Sequence, residues 1–240
     1  MALICILCII YRVYMGTLSK HLAVTQFRIG GYKAHVIYAE GLEEALPYIK
    51  TGLIKSSGLL AATNDIIIDV AHTRSEFIRD EMDGVSGETS DGHLMHLVVN
   101  TVSEMWKSAV EGTVAHEYAH VVRFQTAGTG KGDLAESIVT EGLAQCFEET
   151  ATGVLRPWSR AITVSQAKEI LTKIKNRLDE RSWDFHNRLF FSTDDKEFPH
   201  WSGYTISYLL VKKRLPDPDN IDWNEMVKSP PEILLGDCIL

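Results

Sequence analysis

The 240-residue sequence holds only four cysteines, too few and too scattered for a disulfide framework. It also lacks an excess of basic charge. Twenty-four Lys and Arg stand against 32 Asp and Glu, a net charge of −8, with no basic cluster. That argues against a nucleic-acid partner. No apolar run approaches the roughly 20 residues that span a bilayer. Internal repeats and low-complexity segments are missing as well. With 45% hydrophobic and 23% charged residues, the composition is that of a globular chain and excludes a disordered, collagenous or polytopic membrane protein. The length suits one large domain or two small lobes around a cleft.

The stretch Met1-Ala-Leu-Ile-Cys-Ile-Leu-Cys-Ile-Ile-Tyr11 is apolar but short. A signal peptide would carry basic residues ahead of such a run, whereas Arg12 and Lys20 follow it. It reads as a core strand or an atypical start, with a membrane-surface anchor as the alternative and a secretory signal as the remaining reading. Membrane association is therefore expected only through residues 1–15, and a cytoplasmic location by default. Cys5 and Cys8 lack the polar, accessible surroundings of a redox or zinc pair. They, Cys146 and Cys238 read as small apolar residues.

Strand signals dominate the first half of the chain. Residues 27–38 hold β-rich pieces around Gly30-Gly31, and Ile66-Ile-Ile-Asp-Val70 is a β-branched run of a buried strand. A short helix over residues 41–54 is interrupted by Pro47. Residues 83–92 read as turn chemistry leading into a strand over residues 93–99. Helical signals then take over. Capping boxes at Thr101–Glu104, Asp133–Glu136 and Thr163–Gln166 open three helices. The first carries an apolar stripe through Met105, Ala109, Val110, Val114, Tyr118, Val121 and Val122. A fourth helix over residues 202–215 is halted by Pro216 and Pro218. Strands first and helices second predict an α+β fold. The expected division is an apolar segment at 1–25, a β-containing lobe at 26–127 and a helical lobe at 128–240, the lobes together forming one catalytic unit.

The first of these helices contains His116-Glu117-Tyr-Ala-His120, the pattern H-E-x-x-H. Residues i and i+4 share one helical face, so two imidazoles can reach one metal ion. Glu117 then stands where it can take a proton from an attacking water and pass it to a leaving amine. Catalytic zinc uses three protein ligands and one open position. Glu141 follows His120 by 141 − 120 = 21 residues, on the next helix. It is the preferred third ligand, with Glu136 as the alternative, because Glu136 already serves the cap. Gly142, beside Glu141, would let two helices approach closely. His93 and His96 are weaker metal candidates. His21, His35, His72 and His186 lack ligand-like spacing. Trp183, Phe185, Phe190 and Phe191 read as core or cleft wall.

His116-Glu-Tyr-Ala-His120 followed by Thr140-Glu-Gly-Leu-Ala144 resembles the gluzincin superfamily of zinc peptidases. More closely, it is similar to a family of predicted zinc-dependent proteases catalogued as a domain of unknown function. That family adds a Gly-Tyr segment, here Gly203-Tyr204. The resemblance spans roughly residues 60 to 215. It implies a zincin, thermolysin-like catalytic domain, a small mixed sheet with an edge strand over an active-site helix, and one Zn2+ per chain on His116, His120 and Glu141. It implies a Tyr or His that stabilises the oxyanion: Tyr204 first, His200 second, with Tyr208 left to packing. It also gives the strand at 93–99 the role of edge strand, pairing with a peptide or protein substrate. The expected function is a metalloprotease hydrolysing peptide bonds with Glu117 as general base. The rivals are a peptide-binding or regulatory zinc protein without turnover, and a metal-dependent hydrolase of a non-peptide amide or ester. Oligomeric state is not legible.

Overall fold

The computed structural model describes residues 22–128, 130–217 and 220–236. The apolar run at 1–11 with Cys5 and Cys8, and likewise His21 and Cys238, lie outside the described residues. Cys146 is buried, as a small apolar residue would be.

Five strands form one mixed sheet in the order β1-β2-β3-β5-β4. Strands β1 (Leu22–Ile29) and β2 (Tyr32–Ala39) make an antiparallel hairpin, and Gly30 at its turn has φ +52°, a left-handed conformation that glycine adopts without strain. Strands β2, β3 (Ile66–His72) and β5 (Leu94–Val99) run parallel. The edge strand β4 (Val85–Thr89) is antiparallel to β5, in register from Val85↔Val99 to Thr89↔Met95. Alternate residues face the core: Ala34 and Val36, Ile66, Ile68 and Val70, and Met95, Leu97 and Val99 are all buried.

Helix α1 (Leu46–Leu59) crosses from β2 to β3 and packs against α3 (Trp106–Ala127). The approach is close at Gly52, where a Cβ would sit 2.8 Å from the Glu111 carbonyl oxygen. The short α2 (Glu76–Glu81) precedes β4. Helix α4 (Leu134–Thr152) returns past α3, and α5 (Val164–Ile174), α6 (Trp183–Phe190), α7 (Ser202–Arg214), α8 (Trp223–Met226) and α9 (Pro231–Leu235) complete the helical part. The fold is α+β. Gly142 does bring two helices together: α4 meets α7 there, with the Ser207 carbonyl against the glycine. Among the described residues, no helix is long and apolar enough to cross a membrane.

Several expectations are corrected. Thr101–Glu104 is not a capping box, because residues 101–105 form turns and α3 begins at Trp106 without a side-chain cap. Met105, placed on the apolar stripe, is exposed, whereas the rest of that stripe is buried. Pro47 does not interrupt α1 but occupies its first turn, where a missing N–H costs nothing. Only half of the second box forms: Asp133 accepts from the Glu136 N–H, while the Glu136 side chain turns elsewhere. The box at Thr163 and Gln166 is complete. Residues 83–92, read as turn, contain β4. The strand at 93–99 is therefore interior, and the sheet edge is Val85–Thr89. A central glycine and polar residues disguise a strand whose hydrogen bonds come from β5 and whose packing comes from α3, rather than from propensity.

Candidate metal centre

Helix α3 is buried on most of its circumference. The sheet and α1 cover one side and α4 the other, so His116, Glu117 and His120 are all withdrawn from solvent. The reversal into α4 uses Gly128, Gly130 and Gly132, each with φ between +67° and +79°. This short connection places α4 antiparallel to α3 and turns Glu141 toward the two imidazoles.

His116 Nε2 lies 3.4 Å from Glu141 Oε2, and His120 Nε2 lies 3.6 Å from Glu141 Oε1. One ligand atom from each residue falls within 4.8 Å of the others. Glu141 Oε2 is buried without a hydrogen-bond partner. An unpaired buried carboxylate oxygen is costly, and a cation among these three side chains would remove that cost. Two imidazoles and one carboxylate are also the donor set of catalytic zinc, with one position left open. The residues present fit zinc.

The electrostatics carry the same pattern. Burial pulls His116 down, but the carboxylates of Glu141 and Glu148 outweigh it and raise its pKa to about 10. Burial holds His120 at about 4 in spite of Glu141. Burial works against the Glu141 charge, yet His120 and His116 lower its pKa. Burial lifts Glu117 to about 7, against the pull of His116 and of Thr89. A base poised near neutrality is suited to proton transfer.

Glu117 is aimed from the edge strand. The Thr89 hydroxyl donates to Glu117 Oε2 at 2.8 Å, and Gly87 packs directly against the same side chain. Behind His116 stands Glu148, whose Oε2 lies 3.4 Å from His116 Nδ1 in an ion-pair contact, Nδ1 itself making no hydrogen bond. The other oxygen of Glu148 accepts from Arg156 Nε. Arg156 also donates to the Ala109 carbonyl at 3.0 Å and to Asp83 Oδ2 at 3.1 Å, in the turn before β4. A carboxylate behind a ligand imidazole fixes its ring orientation and tautomer.

Tyr204 lines the same cavity as His116 and Glu117. Burial raises its hydroxyl pKa well above the usual value, and the charges of Glu141 and Glu117 add to the effect. His200 does not line that cavity. It meets Trp201 edge-on with ring centroids 4.1 Å apart, lies tilted against Phe77 at 5.9 Å, and feels the charge of Glu81. Of the two oxyanion candidates, the fold brings only Tyr204 to the cluster. Tyr208 donates to Glu149 Oε2 at 2.9 Å on the packed side of α7. Glu136, the alternative ligand, accepts instead from Arg123 Nη2 at 2.7 Å and from the Thr140 hydroxyl. His93 is exposed, and His96 is bonded to Asp69 at 2.7 Å away from the cluster.

Sequence reasoning missed Thr89, Glu148, Arg156 and His186. Thr89 was hidden in a segment that reads as turn. Glu148 carried a signal, since it lies seven residues past Glu141 and two helical turns share a face. Arg156 and His186, the latter within electrostatic reach of Glu141, have no spacing that marks them.

No curated protein matches the sequence. The structure is similar to the crystal structure of an aminopeptidase N family protein from Idiomarina loihiensis, with a TM-score of 0.52 and 11% sequence identity. The match covers 86% of this chain and 40% of that one, so this chain spans less than half of that protein's length. At such identity the likeness speaks for the fold alone, a five-stranded mixed sheet followed by a helical region. Residues 51–235 match the family model described as predicted Zn-dependent protease (DUF2268). That match takes in most of the chain and both motif-bearing helices, and the protein belongs to this family of predicted zinc-dependent proteases.

Proposed function

We propose that this protein is a zinc-dependent peptidase, with the β-containing part through α3 and the helical part after it acting as one catalytic unit. His116, His120 and Glu141 hold the metal, and zinc bound there supplies a Lewis acid that polarises the scissile carbonyl and makes water nucleophilic at neutral pH. Glu117 takes the proton from the attacking water and delivers it to the leaving amine. Thr89 fixes the carboxylate for that transfer through its hydrogen bond to Oε2. Tyr204 donates a hydrogen bond from its hydroxyl to the developing oxyanion, a contact of the kind worth several kcal/mol. Its raised pKa keeps that proton in place. An extended peptide pairs with β4, the sheet edge beside the cluster.

The observation that carries this reading is the convergence of both imidazoles on the two oxygens of Glu141, at 3.4 and 3.6 Å, with Glu117 beside them. A zinc site that only stabilised a fold would have no use for a buried, unligated carboxylate poised near neutrality. The test combines metal analysis with turnover of unstructured peptides by the wild type and by Glu117→Gln. About one zinc per chain is expected in both proteins, with turnover only in the first. A wild type purified without zinc, or equal turnover by the two proteins, would refute the assignment.

A further inference from the structure

A narrow cavity opens directly on Glu117, His116 and Tyr204, and its far walls are Met82, Val85, Trp158 and Trp201. The two indoles lie 5.9 Å apart, and both are nearly buried, at 8% and 7% exposure. Trp201 has φ +62°, a left-handed conformation that is an outlier for a bulky residue. Its ring is held there by Trp158, by Phe77 at 5.8 Å and by Tyr204 at 5.4 Å. Strain of this kind persists only where the surroundings over-determine it, and it concentrates at ligand sites. The strain has a geometric result: it places an indole against the cavity at the residue just before α7, three positions from Tyr204.

Charge is removed from the cavity as carefully as aromatic surface is supplied. The Glu148 carboxylate reaches the lining, but Arg156 binds it from behind, and the guanidinium also stacks over Trp158 at 5.6 Å. Apart from the catalytic cluster, no unneutralised charge is left to greet a charged side chain.

We propose that the cavity between Trp158 and Trp201 receives the side chain of a substrate residue flanking the scissile bond. Its chemistry selects aliphatic or aromatic side chains against glycine and charged ones. The inference rests on the peptidase reading and names the substrate class of that same site, with Trp201 as its specificity-determining residue.

The test uses the zinc-loaded full chain and quenched peptides that differ only at the residues flanking the cleaved bond: Leu, Phe, Gly, Asp or Lys. A Leu peptide should exceed its Gly counterpart in kcat/KM by about 10- to 100-fold, and Asp or Lys should fare no better than Gly. Trp201→Ala should compress the Leu-to-Gly ratio to below about threefold while zinc affinity stays at the wild-type value. A loss of folding would lower all peptides together and would not change that ratio. Should Trp201→Ala fail to fold, Met82→Phe narrows the same cavity and should slow the Phe peptide more than the Leu peptide. Binding of the same peptides to Glu117→Gln, followed by tryptophan fluorescence, ranks them without turnover. Leu-selective binding in a wild type that cleaves nothing would refute the peptidase reading and keep the cavity's preference. Equal cleavage or equal binding of Leu, Gly and Asp peptides would overturn the proposal and leave the peptidase reading standing.

Discussion

Gly87 offers the sharpest perturbation of the proposed chemistry, because it touches the general base without touching a metal ligand. A Cβ at this position of β4 would lie 2.6 Å from both Cγ and Oε1 of Glu117 and 2.7 Å from Cγ2 of Thr113. Comfortable carbon contacts lie near 3.5–4.0 Å, so Gly87→Ala demands a displacement of about 1 Å. Glu117 cannot swing away at little cost. It is buried, and the Thr89 hydroxyl holds its carboxylate. Strand β4 cannot retreat alone either, since it is paired to β5 along its whole length. A misplacement of about 1 Å at a reacting group costs on the order of 100-fold in rate, or about 2.7 kcal/mol of barrier. Overpacking should also cost about 1–3 kcal/mol of stability, a Tm fall of several degrees by calorimetry. Zinc affinity, measured by competition with a chelator, should stay unchanged, because none of the displaced atoms belongs to His116, His120 or Glu141. A Gly87→Ala protein with wild-type kcat would show that Glu117 is not placed by the edge strand. Loss of zinc together with activity would show that the effect runs through the metal centre instead.

Three further outcomes follow from the same geometry. Glu148→Gln should weaken zinc binding by about 10- to 100-fold, because the carboxylate behind His116 no longer fixes its ring; unchanged affinity in chelator competition would remove that role. The metal-free His116 has its pKa raised to about 10. Its proton therefore stabilises the metal-free fold fully below about 6.5, the unfolded value, and that contribution is lost as pH rises through about 10. Zinc must displace this proton, so affinity should strengthen about tenfold per pH unit between about pH 7 and 9, and a flat profile in metal-buffered titrations would contradict the arrangement. Gly142→Ala drives a Cβ into the Ser207 carbonyl and Val211 where α4 meets α7; it should lower stability by at least about 1–3 kcal/mol, and an unchanged Tm would show that the two helices can separate freely.

Much of the fold was legible where a local pattern and its burial agree. The β-branched run at residues 66–70 is strand, and the periodic residues of α5 with a complete box at Thr163 and Gln166 are helix. Legibility failed where pairing partners overruled local chemistry. Val85-Ser-Gly-Glu-Thr89 has the residues of a turn, yet β5 supplies its hydrogen bonds and α3 its packing. Thr101–Glu104 has the residues of a capping box, yet Asn100 and its neighbours hold it in turns ahead of α3.

The sequence by itself determined which candidate donors come together, because helical geometry is local. Four residues separate His116 from His120, one helical face follows from that spacing, and a capped helix 21 residues on supplies Glu141. Only the tertiary structure decided what surrounds those donors. Which of Tyr204 and His200 reaches the cluster depends on how α7 docks against α4 at Gly142. Which strand aims Glu117 depends on the sheet order. Which carboxylate stands behind His116 depends on where Arg156 neutralises Glu148. These are contacts between residues far apart in the chain, and no periodicity encodes a distance across space.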